Sequence, residues 1–102
     1  MARKARRLEL DSKFKELTNN VYYQPPASLV MRYPAIRYKL SDVVVSPADN
    51  LSYLVDSAYQ VMVIDPDPDS EIAEQISQFP YCRLNAAYTA DNLNHFVFTL
   101  YY

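Results

Sequence analysis

The 102-residue chain contains no glycine, and this absence constrains it more than any motif it carries. Glycine reaches positive φ without steric cost, so tight turns and close backbone approaches must be made by other residues. Asn, Asp and Pro are the remaining turn formers, and they cluster in TNN, QPP, SPADN, DPDPDS and TADNLN. The same absence removes function classes. Phosphate-cradling loops and dinucleotide fingerprints need positions without a side chain, so neither a nucleotide-binding loop nor a dinucleotide fold is expected.

Between those turns the hydrophobic pattern changes period. Leu10, Phe14 and Leu17 recur at helical spacing, which predicts a helix over 4–18. VYY at 21–23 reads as a short strand stopped by Gln24, Pro25 and Pro26, and the segment to Pro34 reads as an extended loop. AIRYKL at 35–40 alternates, with Ile36, Tyr38 and Leu40 inward and Ala35, Arg37 and Lys39 outward; VVV at 43–45 prolongs it or forms a short strand. SPADN opens a loop reaching about Leu54. The run 56–64 is β-rich and apolar on both sides, as a central strand should be. A helix over 70–78 follows, with Ile72, Ile76 and Phe79 toward the sheet, and then strands at about 81–89 and 94–102 joined through TADNLN. The expected fold is one α+β domain over 1–102: a four- to five-stranded, mostly antiparallel sheet packed with two helices, possible as a mixed sheet if 56–64, its helix and the next strand form a crossover unit. The basic residues at 1–7 are expected to form a solvated arm.

Three stretches invite a chemical reading. Asp65, Asp67 and Asp69 alternate like the ligands of a calcium loop, but such loops need a glycine at the turn and a late bidentate glutamate, and Pro66 and Pro68 stiffen this backbone. A helix start explains them better, with Asp67 or Asp69 as the cap, Pro68 at the first helical position and Glu71 favoured by the dipole. Cys82 and His95 are the obvious nucleophile and base. With a hairpin turning at Ala90 and Asp91, His95 lies opposite roughly Ala86, and Cys82 lies about 13 Å further along the strand. No dyad, structural zinc site or cofactor site is expected. No run reaches the roughly 18 apolar residues of a membrane span, and MARKARRLEL lacks the apolar core of a signal peptide, so a soluble protein is expected.

Charge is divided along the chain. Residues 1–39 carry nine basic and three acidic side chains, and 40–102 carry one basic and nine acidic. A split of this kind suits copies that dock head to tail, because the two contacting surfaces differ. Ten tyrosines against four phenylalanines and no tryptophan give flat surfaces with polar tips, of the kind enriched between partners. The loop at 24–34, with Leu29, Val30 and Met31 in no core period, is the first candidate for a subunit or partner interface, and Arg32, Arg37 and Lys39 are its charged neighbours. The alternative function class is a small nucleic-acid-binding or regulatory protein using RKARR at its front.

The stretches NVYYQPP, RYPAIRYKL, the AD before YQVMVIDPDPDSEI, and PYCRLNAAYTADNLNHFVFTLYY occur in an order and spacing that resembles a group of small phage proteins. These are the tail terminators and neck proteins encoded among the head and tail genes of long-tailed bacteriophages, and the resemblance runs through most of the chain. It implies an α+β subunit, assembled in the host cytoplasm, that forms a hexameric ring in the neck region of the virion. Such a ring ends growth of the tail tube and joins it to the head connector or stopper. Its implied partners are further copies of itself, the tail tube protein and the connector, with DNA passing through the ring without sequence recognition. The resemblance carries over no catalytic, cofactor or metal residues and no membrane contact, and it leaves open terminator or other neck component.

Overall fold

A computed structural model describes residues 3–47 and 53–102. Helix α1 (Arg3–Lys15) and strand β1 (Val21–Tyr23) precede the long strands β2 (Ala35–Pro47) and β3 (Tyr53–Asp65); helix α2 (Glu71–Ser77) leads to β4 (Cys82–Ala90) and β5 (Leu93–Tyr101). The five strands form one sheet in the order β1-β2-β3-β5-β4, with β1 parallel to β2 and every other pair antiparallel. This is the expected α+β class, with 56–64 central as its apolar composition requires. The expected crossover unit of β3, α2 and β4 is present in split form. β3 and β4 do run parallel, but β5 lies between them, and the directly paired parallel strands are β1 and β2.

Alternation along each strand separates a helix-bearing face from an open one. Ile36 and Tyr38 from β2, Tyr59, Val61 and Val63 from β3, and Phe98 and Leu100 from β5 meet Leu10 and Phe14 of α1 and Ala73 and Ile76 of α2 in a single buried cluster. Each such aliphatic or aromatic side chain contributes about 1.5–3 kcal/mol by leaving water. Tyr38 sits at the centre, edge-on to Phe14 at 5.1 Å, with Tyr23 at 4.8 Å and Tyr59 at 6.0 Å. Its hydroxyl donates to Asp11 Oδ1 at 2.7 Å, and Lys15 closes on the other carboxylate oxygen at 2.8 Å. Burial raises the Asp11 pKa, but the Lys15 and Tyr38 hydrogen bonds outweigh it and hold the carboxyl below its ordinary value.

Where glycine would be expected, other residues take positive φ. Asp91 (55°) and Asn92 (62°) form the two-residue turn between β4 and β5, as their tolerance of this region allows. Gln24 (43°) and Tyr81 (57°) do so as well, so turn chemistry is not confined to Asn, Asp and Pro. The hairpin turns one residue later than the sequence suggests, and a bulge between Leu84 and Ala86 shifts its lower half. The expected loop from Ser46 to Leu54 is shorter, because β2 and β3 stay paired out to Pro47 and Tyr53; residues 48–52 of that reading lie outside the described part. β5 accompanies β3 only as far as Ala58. Beyond it the two long strands project as a two-stranded arm, and the molecule measures 52 × 24 × 23 Å.

The cap of α2 is also corrected. Ser70, not Asp67 or Asp69, is the N-cap, its hydroxyl accepting from the Ala73 N–H at 3.1 Å, so Pro68 precedes the helix altogether. Asp65 and Asp67 instead accept the amides of Asp67 and Asp69, both at 2.9 Å, in successive Asx turns. The helix-start reading of DPDPDSE stands, with its roles redistributed.

Candidate assembly surface

Both helices pack on one face of the sheet, and the cross-strand register specifies what the other face presents. Reading across from β2 to β4, one row is Ala35, Ile64, His95 and Tyr88; the next is Arg37, Met62, Val97 and Ala86; the third is Lys39, Gln60, Thr99 and Arg83. Ala35, expected outward, is on this side of the sheet but buried, as are Ile64 and Val97, so the exposed part of the face is carried by the longer polar side chains. Past the bulge after Leu40, Asp42 joins this face beside Ala58 and Tyr101. Arg37, Lys39 and Arg83 are all exposed. Adjacent strands lie about 4.8 Å apart, so Lys39 and Arg83 flank a polar floor of Gln60 and Thr99 at a backbone separation of about 14 Å.

β4 is the outermost strand and is uncovered. No residue of it is buried, Leu84 is 51% exposed and Tyr88 47% exposed. It contains neither proline nor lysine, and its edge protection is confined to its first half, Arg83 and the bulge at Asn85. Ala90 and Leu93 flank a two-residue turn, so strand alternation directs the N–H and C=O groups of Ala87 and Thr89 away from β5. Asn85, at the bulge, is held by Thr99 and by Arg83.

The loop at 24–34 borders the same face. Tyr22 pairs with Arg37 and therefore shares its side of the sheet, and the Tyr22 hydroxyl accepts the Arg32 N–H at 3.1 Å, drawing the loop back beside β1. Thr18 and Asn20 side chains both donate to the Pro34 carbonyl, which follows a cis Tyr33–Pro34 peptide. Leu29 is 42% exposed and Val30 86% exposed, whereas Met31 is half-buried. Gln24 and Pro25 close one side of a shallow depression of about 380 Å³ with Arg37, Lys39, Gln60 and Met62 on its floor and rim. Arg37 and Lys39 therefore adjoin the start of the loop at Gln24 and Pro25. Arg83 was missed in the sequence; its isolation as the one basic residue after Lys39 was the available signal.

A larger concavity, about 940 Å³, opens on the helix side between α1 and the end of α2, lined in part by Arg6, Lys13, Glu16, Tyr81 and Tyr102. Its walls carry both signs of charge, and two of its side chains are engaged. Arg6 lies 5.2 Å over the Tyr102 ring, Glu16 shares the wall with Lys13, and the Tyr102 hydroxyl donates to Glu9. Arg7 is likewise occupied, 4.2 Å over Tyr23 and donating to the Tyr38 hydroxyl, so part of the basic front of the chain is spent on packing.

Cys82 and His95 do not meet. Cys82 is opposite Leu100 on the helix side, and burial pushes its thiol pKa up. His95 is opposite Tyr88, not Ala86, on the open side, where the two rings stack at 4.8 Å and 5°. A register offset of five positions along β5, from His95 to Leu100, and the sheet itself separate the pair. Among the described residues no three His, Cys, Asp or Glu side chains gather in metal-binding geometry, and no helix is long and apolar enough to cross a membrane. Comparison with protein-family models, curated proteins and solved structures finds no match.

Proposed function

We propose that this chain is a structural subunit that assembles with copies of itself into a ring, and that the ring is the tail terminator or another neck component of a long-tailed phage. The observation that carries assembly is β4, a nine-residue edge strand with no buried residue on either side, bordering an open sheet face. In an isolated domain such an edge invites pairing with other chains. A subunit whose edge and face are covered by its neighbours has no such liability. The phage placement rests on the resemblance of the sequence, and with it the hexameric ring, the contacts to tail tube and connector and the passage of DNA. In this reading the protein is not an enzyme and needs no cofactor.

The competing reading, nucleic-acid binding through the basic front RKARR, is disfavoured by the engagement of Arg6 and Arg7 with Tyr102 and Tyr23. Native mass spectrometry across protein concentration separates the two. A closed ring of fixed copy number, expected to be six, supports the ring reading. A monomer at every concentration that binds duplex DNA supports the other.

A further inference from the structure

We infer that the open face of the sheet, through Arg37, Lys39 and Arg83, docks the acidic segment Asp67–Glu74 of a second copy, so that each copy offers one surface and receives the other. This rests on the ring reading and assigns the two surfaces that meet in it.

The receiving surface is cationic in a chain that is acidic overall. Three exposed basic side chains lie in two adjacent rows of one face, with Asp42 one row further. None of the three is drawn into the core as Arg7 is. Arg37 and Lys39 overhang the depression that Gln24, Pro25, Gln60 and Met62 complete, which gives an incoming side chain a floor with amide donors and an apolar wall.

The offered surface is of opposite sign and well separated from it. Asp67, Asp69, Glu71 and Glu74 are all exposed, and no lysine or arginine occurs between Leu40 and Cys82. The successive Asx turns use one oxygen each of Asp65 and Asp67, and Asp67 keeps its second oxygen for an outside donor. Arg37 and Lys39 are two residues apart on a strand, about 6.6 Å, and Asp67 and Asp69 come from a segment stiffened by Pro66 and Pro68 and folded into Asx turns. Little ordering entropy is then lost when the carboxylates are presented.

Within one chain the two surfaces cannot satisfy each other, since α2 packs on the helix face and the cations lie on the opposite face. A second copy can supply the partner. Different surfaces on successive copies make a heterologous contact, which closes into a ring when the rotation between copies divides the circle. Duplex DNA is the other polyanion the cations could hold, but three cations with Asp42 one row away give a weak footprint for it.

The test is charge reversal by native mass spectrometry and by sedimentation at low salt. Arg37→Glu with Lys39→Glu, and separately Asp67→Lys with Asp69→Lys, are expected each to weaken ring formation about tenfold or more. The chain carrying all four changes is expected to recover it, because only surfaces that face each other regain complementarity. Thermal melts of each variant establish that the subunit is folded. Rings that form in the wild type but are unaffected by either pair, or are not recovered by the fourfold variant, overturn this pairing and leave the ring reading intact. A wild type that remains monomeric overturns both. Loss of duplex DNA binding in the first pair, with normal rings in the second, assigns the cations to DNA and overturns the proposal.

Discussion

The Tyr38 hydroxyl donates to Asp11 at 2.7 Å across the junction of α1 with β2. Tyr38 is 1% exposed and in ring contact with Phe14, Tyr23 and Tyr59, so this bond closes the centre of the core with a polar group that is satisfied. Tyr38→Phe keeps the ring and removes the bond. It is expected to lower unfolding free energy by about 1–2 kcal/mol, read from the urea midpoint at unchanged slope. An unchanged midpoint would show that Lys15 alone holds Asp11.

Alkaline stability follows from the same hydroxyl. Burial, then the bond to Asp11, raises the Tyr38 pKa well above the ordinary tyrosine value, and burial with the Glu9 bond pushes Tyr102 up to about 12. In the unfolded chain both ionise near 10, so the unfolded state loses protons first as pH rises. Their contribution is therefore complete below about pH 10 and falls away as pH rises through the folded values. Melting temperature should drop between pH 10 and 12, and less steeply in Tyr38→Phe relative to its own value at pH 8.

Tyr81 holds φ at 57° with its side chain 82% exposed, so it carries the left-handed penalty with little packing in return. The penalty is about 1–2 kcal/mol for an ordinary residue, against about 0.4–1 kcal/mol of added unfolded-state freedom for glycine. Tyr81→Gly should raise stability by roughly 0.5–1 kcal/mol, since the Tyr81 carbonyl still accepts from Tyr101. Tyr81→Val should destabilise. Denaturant unfolding of the two variants checks both signs.

Ser70 caps α2, and its neighbours Asp67 and Asp69 do not. Ser70→Ala is expected to cost about 1 kcal/mol, and Asp69→Ala only a few tenths through the lost dipole contact. Equal costs in thermal unfolding would reassign the cap.

Val30, 86% exposed in the loop beside the open face, is the cleanest probe of that border. Val30→Asp should leave monomer stability within about 0.5 kcal/mol while reducing ring formation. Met31 is half-buried, and changing it as well would mix folding with assembly. Full rings from Val30→Asp would place the loop outside the contact.

Strand and helix periods are local properties, and they were legible without tertiary information. Alternation placed Ile36 and Tyr38 inward and Arg37 and Lys39 outward, and it separated His95, Val97 and Thr99 from Phe96, Phe98 and Leu100. The central position of 56–64 followed from apolar side chains on both of its faces. The candidate surface was legible only in part, because the loop at 24–34 and the β2 cations are neighbours in the chain while the exposed strand β4 lies more than 40 residues further on.

What the sequence determined by itself is the class of fold, the turns forced on a chain without glycine, and the division of charge between its two parts. Tertiary structure alone decided how those parts meet. The insertion of β5 between β3 and β4, the bulges at Ser41 and Asn85, and the one-residue shift of the hairpin set which side chains share a row. Register has a period of two, so a single-residue slip carries a side chain to the other face of the sheet. Arg83 therefore joins Lys39 through three pairings summed over four strands, which no local pattern encodes, and His95 meets Tyr88 through the shifted register of the hairpin. The choice of Ser70 over Asp69 as the cap has the same origin: both residues suit the role chemically, and packing of Ala73 and Ile76 against the sheet fixes where the helix begins.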